Sequence, residues 1–173
     1  MNTEEYYDWS RFQIIHYYSV PSERVFEAWA TAQGLESFFL EHATFESEAG
    51  KARAPDEPTT TGDSYHWKWR HGHTLEGDIY NVVPGRSMAF TFGDMEAEVR
   101  IANVGDRTEL ILRQWSIPNT DEGRASGHLN CRSCWVFFLT NLQSVLEQGV
   151  DLRDNDPSKV SSMEIGFQPL SEV

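Results

Sequence analysis

The feature that most restricts this chain is the stretch from residue 63 to residue 115, where side chains alternate with a period of two and short turns recur. Tyr65, Trp67 and Trp69 alternate with His66, Lys68 and Arg70, the pattern of a strand with one buried face. His71-Gly72-His73 reads as a turn, and residues 75–83 return as the next strand. Pro84-Gly85-Arg86, Gly93-Asp94 and Gly105-Asp106 then separate strands at 87–92, 95–103 and 108–115. Strands joined by turns this short pair antiparallel, because a parallel neighbour needs a long crossover.

The flanks supply helices. Residues 11–18, RFQIIHYY, are β-branched and aromatic and predict a first strand. Pro21-Ser22-Glu23-Arg24 opens a helix, with Ser19 or Ser22 as its cap and Val25, Phe26, Ala28 and Trp29 as its apolar face. Ala32-Gln33-Gly34 interrupts it, and residues 35–40, LESFFL, predict a second short helix. Residues 46–62 carry charge, two prolines and a threonine run, and read as loop. One long helix is expected over residues 128–148, with Leu129, Trp135, Val136, Leu139, Leu142, Val145 and Leu146 as a stripe interrupted by Arg132, and Gly149 to end it. This order is α+β: the long helix must bury its stripe, and the curved face of the antiparallel sheet is the available partner. The expected organisation is an N-terminal extension over residues 1–10, a domain over 11–149, and a polar tail over 150–173 that packs extended or stays mobile.

Composition narrows the function. A chain of 173 residues suits one domain. With 6 Trp, 6 Tyr and 10 Phe it has enough rings to fill a core or line an apolar cavity. The formal net charge of −13, with no basic run, repels a polyanion, so nucleic acid is excluded as a partner. No apolar run approaches the roughly 20 residues that span a bilayer, and the acidic start MNTEEYYDWS lacks the features of a signal peptide. Two cysteines are too few for a disulfide framework, and the expected address is the cytoplasm.

Alternation places aromatic residues where strand and helix face each other, so the candidate cavity lining is Tyr65, Trp67, Trp69, Phe90, Phe92, Trp135 and Leu139. Cys131 and Cys134 share a helix face, but no second such pair exists, and they read as structural thiols. His66, His71, His73 and Glu76 gather at one hairpin and read as a surface cluster. On the last strand Leu110 and Leu112 point one way and Ile111, Arg113 and Trp115 the other; alternation leaves open which set faces inward. The pairs His73 with Glu76 and His128 with Cys131 have acid–base or nucleophilic chemistry only if they converge. No nucleophile elbow, phosphate loop or zinc-protease motif occurs. No catalytic residue, metal or cofactor is assigned.

Taken together, these segments resemble a known family. VPSERVFEAWATAQGLESFF is similar to the opening of the activator of heat-shock protein 90 ATPase homologue-like domains, in the START-like SRPBCC superfamily. GDSYHWKW with LEGDIYNVVPGRSMAFTF resembles its central strands, EVRIANVGDRTELILRQWSIP its next hairpin, and CWVFFLTNLQSVLEQG its closing helix. The resemblance runs from residue 12 to residue 149 and implies the helix-grip fold, a curved antiparallel sheet wrapped around the C-terminal helix. It implies a cavity for a small apolar or amphipathic molecule between sheet and helix. The alternative it implies is an interaction module, binding a chaperone or a second copy as a homodimer. The chain departs from the family at Phe38-Phe39, where Trp-Phe is common, and in its longer 46–62 loop. It also has no room for the separate N-terminal domain of eukaryotic co-chaperones, which weighs against chaperone ATPase activation.

Overall fold

Alternation and turn chemistry produce the expected strands in a computed structural model that describes residues 7–168. The strands are β1 (Phe12–Tyr18), β2 (His42–Glu46), β3 (Ser64–Lys68), β4 (Thr74–Val83), β5 (Ser87–Phe92), β6 (Met95–Val104) and β7 (Arg107–Trp115). They form one antiparallel seven-stranded sheet in the order β1-β7-β6-β5-β4-β3-β2. Strands β2 to β7 are a meander, and β1 closes the far edge against β7 with Ile14 opposite Leu112. The register between β4 and β5 shifts between Tyr80 and Val83, where Asn81 has a φ of 50°, a conformation asparagine tolerates better than most residues.

The link from β1 to β2 carries α1 (Ser22–Ala30) and α2 (Ala32–Phe38). Neither Ser19 nor Ser22 caps α1: Pro21 holds the cap position, and its carbonyl accepts from the Arg24 and Val25 N–H groups. The second helix begins three residues earlier than LESFFL suggests. The Thr31 hydroxyl accepts from the Gly34 N–H at 2.9 Å, so Ala32-Gln33-Gly34 is its first turn instead of a break. Beyond β7, wide π-helical turns over Gly123–Asn130 run directly into α3 (Cys131–Gln148). Gly149, at φ 70°, ends α3 with its N–H on the Val145 carbonyl.

The core lies between the concave sheet face and the helices. Ile79, Met88, Phe90, Val99, Leu110 and Leu112 from the sheet meet Val25, Trp29, Leu35, Phe38, Trp135, Leu139 and Leu142 from the helices. The set Leu110, Leu112 and Gln114 faces inward; Arg113 faces outward and its Nε donates to Gln13 at 3.0 Å. Gln114 is fully buried and fastens α3 to the sheet. Its carbonyl oxygen accepts from the Trp135 indole at 2.8 Å, and its amide donates to the Gly127 carbonyl at 3.0 Å.

Two segments that read as loop and tail are tied down. In the 46–62 loop, Arg53 pairs with the buried Asp63, which also accepts from the Thr59 hydroxyl and the Thr60 N–H. After α3, Arg153 is buried and donates to the Leu40 and Glu36 carbonyls at 2.9 and 2.8 Å while gripping Asp151. The Asn141 amide, buried on α3, donates to Phe38 and to Asp151. A short helix, α4 (Ser162–Ile165), follows, closed by a reciprocal cap between Ser161 and Glu164. Residues 169–173 of the expected tail and residues 1–6 of the expected extension lie outside the described residues.

These paired carboxylates contribute to stability that acid removes. Burial alone would lift the Asp63 carboxyl, but Arg53 and the Thr60 and Thr59 donors outweigh it and hold it below its ordinary 3.8. Burial likewise opposes, and Arg153 with Asn141 overrides, at Asp151, which also lies below 3.8. A carboxyl depressed in the folded state contributes stability that is present above its unfolded value and lost as pH falls through the folded one. Urea midpoints should therefore hold between about pH 7 and 5 and fall below about pH 4. Arg53→Met should lower the midpoint at neutral pH and make the acid fall shallower. An unchanged acid slope would show that the Asp63 pair does not carry the effect.

Candidate functional site

A cavity of about 530 Å³ opens where the turns after β3 and β5 face the start of α3. Trp69, Leu75, Phe92 and Met95 supply its sheet side; Cys131, Cys134, Trp135 and Phe138 supply its helix side. Phe39, and Glu164 and Ile165 of α4, complete the lining. The lining is mostly apolar, and several rings touch edge to face or tilted: Phe92 lies 5.4 Å from Trp135, and Phe39 lies 5.3 Å from Trp69. Period two brings Trp69 and Phe92 to the concave face, and Gln114 fixes the rotamer of Trp135.

The seven residues expected to line a cavity divide by depth. Trp69, Phe92 and Trp135 reach the cavity wall. Tyr65, Trp67, Phe90 and Leu139 share the same face but lie beneath it in the packed core. Tyr65 stacks on Trp67 at 4.0 Å and lies over Gly77, where a Cβ would come within 2.7 Å of its ring. Its hydroxyl donates to the Thr91 carbonyl at 2.5 Å, and burial pushes its ionisation well above the tyrosine range.

The polar wall was only partly anticipated. His71 and His73 line the mouth with their rings 6.0 Å apart and 2° from parallel. Burial, and then the neighbouring His73, lowers the His71 pKa from its ordinary 6.5, which favours the neutral ring. Burial pushes the Cys134 thiol up to about 11, with Cys131 adding to it, and burial raises Cys131 as well. Both cysteines are free, and burial favours their protonated, weakly nucleophilic form. Among the described residues no group of three or more His, Cys, Asp or Glu is placed to hold a metal ion.

The two acid–base pairs do not converge. Glu76 stands opposite His66 across β3 and β4, 3.9 Å away on an exposed surface, whereas His73 lines the cavity. His128 is buried and both of its ring nitrogens serve the N-terminal segment: Nδ1 lies 3.0 Å from the Trp9 carbonyl and Nε2 2.9 Å from the Tyr7 hydroxyl. A carbonyl only accepts, so Nδ1 carries the hydrogen. Glu164, Met95 and Phe39 were not anticipated. The S-x-x-E spacing at Ser161 and Glu164, unread in the sequence, is the local signal that could have found α4.

A larger hollow, about 840 Å³, lies over the outer sheet face between Arg11, Arg100, Arg113, Glu98 and Trp115. Its arginines are already engaged, Arg11 by Asp8 at 2.7 Å and Arg100 by Glu98 at 2.8 Å, and it offers no enclosed apolar wall. The cavity against α3 is the better candidate.

A curved antiparallel sheet gripping a long C-terminal helix, with a cavity between them, defines a protein of the helix-grip class. A sequence model of the family described as "Activator of Hsp90 ATPase homolog 1-like protein" matches residues 19–147, and the chain belongs to that family. Solved structures agree on the fold. The protein SSP2350 from Staphylococcus saprophyticus is 21% identical with a TM-score of 0.64, over 82% of this chain and 96% of that one. The Aha1 dimer from Colwellia psychrerythraea is 15% identical with a TM-score of 0.64, over 80% of this chain and 97% of that one. CalU16 from Micromonospora echinospora is 17% identical with a TM-score of 0.59, over 80% and 77%. No curated protein sequence gives a significant match. Among the described residues no helix is long and apolar enough to cross a membrane.

Proposed function

We propose that this chain holds one small apolar or amphipathic molecule in the cavity between its sheet and α3. The observation that carries this reading is the cavity itself. Its volume of about 530 Å³ falls within the range of small-molecule sites, and Trp69, Phe92, Trp135 and Phe138 line it with flat apolar surface. The compartment that fits is a reducing cytoplasm, in keeping with two free thiols in the wall.

Titration with N-phenyl-1-naphthylamine, a neutral three-ring probe, should quench tryptophan emission saturably with one site. Cys134→Phe places a ring in the cavity and should weaken the probe at least about tenfold, since overfilling the space removes about 1.4 kcal/mol or more of binding. No saturable response in the native protein, or equal affinity in the variant, sinks the reading. The alternative is a partner-binding role, toward a chaperone of the kind in the family's description or toward a second copy. A salt-sensitive pull-down that ignores a saturating cavity ligand would favour it.

A further inference from the structure

We infer that the molecule held in this cavity carries a hydrogen-bond donor, a hydroxyl or an ammonium, at the end that meets Glu164; this rests on the ligand-binding reading above. The argument begins with the polar inventory of the wall. Among the described residues no lysine or arginine lines the cavity, and Glu164 is the one carboxylate that does. Its side chain is only 5% exposed. A buried carboxylate offers about four acceptor positions and prefers charged donors at about 2.7–2.9 Å.

The partners present fall short of that. The Ser161 N–H approaches at 3.4 Å and the Arg70 guanidinium at 3.9 Å. Arg70 is turned toward the chain after α3, where its Nη2 donates to the Asp154 carbonyl at 2.6 Å and to Asp156 at 3.3 Å. Glu164 therefore keeps unused acceptor capacity beside a mostly apolar space, where a donor gains most from meeting it. An anionic ligand head would instead meet the Glu164 carboxylate with no lysine or arginine among the described lining residues to offset it. His71 adds an imidazole to the same wall, and its neutral form, which burial favours, offers one donor and one acceptor nitrogen.

The chain places this group deliberately. The Asn130 side-chain oxygen accepts from the Phe167 N–H at 2.6 Å, binding the segment after α4 to the start of α3. Arg153 anchors the preceding segment to α2. Glu164 is thus a specificity-determining residue delivered by the C-terminal segment.

The test compares three probes of one ring system, 2-naphthylmethylamine, 2-naphthalenemethanol and 2-naphthoate, by tryptophan fluorescence on the full chain. The amine and the alcohol should each bind at least tenfold more tightly than the carboxylate. Glu164→Gln keeps the reciprocal cap with Ser161, because glutamine serves that position, and should shrink the preference to within about threefold. Arg70→Met removes the distant cation and should widen the preference of the amine over the alcohol. Naphthoate binding as well as the amine, or a preference that survives Glu164→Gln, overturns the inference while leaving the cavity reading intact. If no probe binds and N-phenyl-1-naphthylamine also fails, both fall together.

Discussion

Replacing Gln114 by leucine is expected to lower the stability of the fold by about 3 kcal/mol, although leucine is apolar and nearly fits the space. The cost arises in what is left behind. Trp135 loses the acceptor for its indole N–H and the Gly127 carbonyl loses its donor, both buried, and each orphan costs about 1–3 kcal/mol. Gln114→Glu keeps the acceptor for Trp135 but loses the donor to Gly127 and buries a charge, so it should be no milder. Urea unfolding followed by tryptophan emission reads both. A loss below about 1 kcal/mol for Gln114→Leu would mean that the Gln114 bridge contributes little to holding α3 on the sheet.

The second large effect lies at Arg153. Arg153→Met should cost about 3 kcal/mol, because it strips a buried guanidinium from Asp151 and leaves the Glu36 and Leu40 carbonyls, in and just after α2, without their donor. The loss should be uneven along the chain. Amide exchange at residues 161–167 should accelerate more than in β5 or β6, because the anchor of the segment carrying Glu164 is gone while the sheet pairing is untouched. Uniform acceleration throughout would show that Arg153 supports the whole core instead of that segment.

How far such a site can be read from sequence depends on the range of the interactions. The meander was legible because period two and two-residue turns are local: residues 87–92 were expected as a strand and β5 is Ser87–Phe92. The start of α2 was not, since a Thr31 side chain capping Gly34 looks in sequence like a polar break before a glycine. For the cavity, alternation names a face but not a depth. Trp67 and Trp69 point the same way, yet Trp67 is sealed under Tyr65 and Phe90 while Trp69 reaches the wall. Glu164 was least legible, because its place depends on Arg153 and Asn130, contacts that span 117 and 37 residues.

The central claim is that a ligand sits against α3, and the six indole N–H groups of Trp9, Trp29, Trp67, Trp69, Trp115 and Trp135 report on it separately. In a nitrogen–proton correlation spectrum titrated with N-phenyl-1-naphthylamine, Trp69 and Trp135 should shift saturably and together. Trp9, packed on His128, and Trp115, on the outer sheet face, should stay in place. Shifts confined to Trp9 and Trp115, or none at any indole at saturating probe, would contradict it.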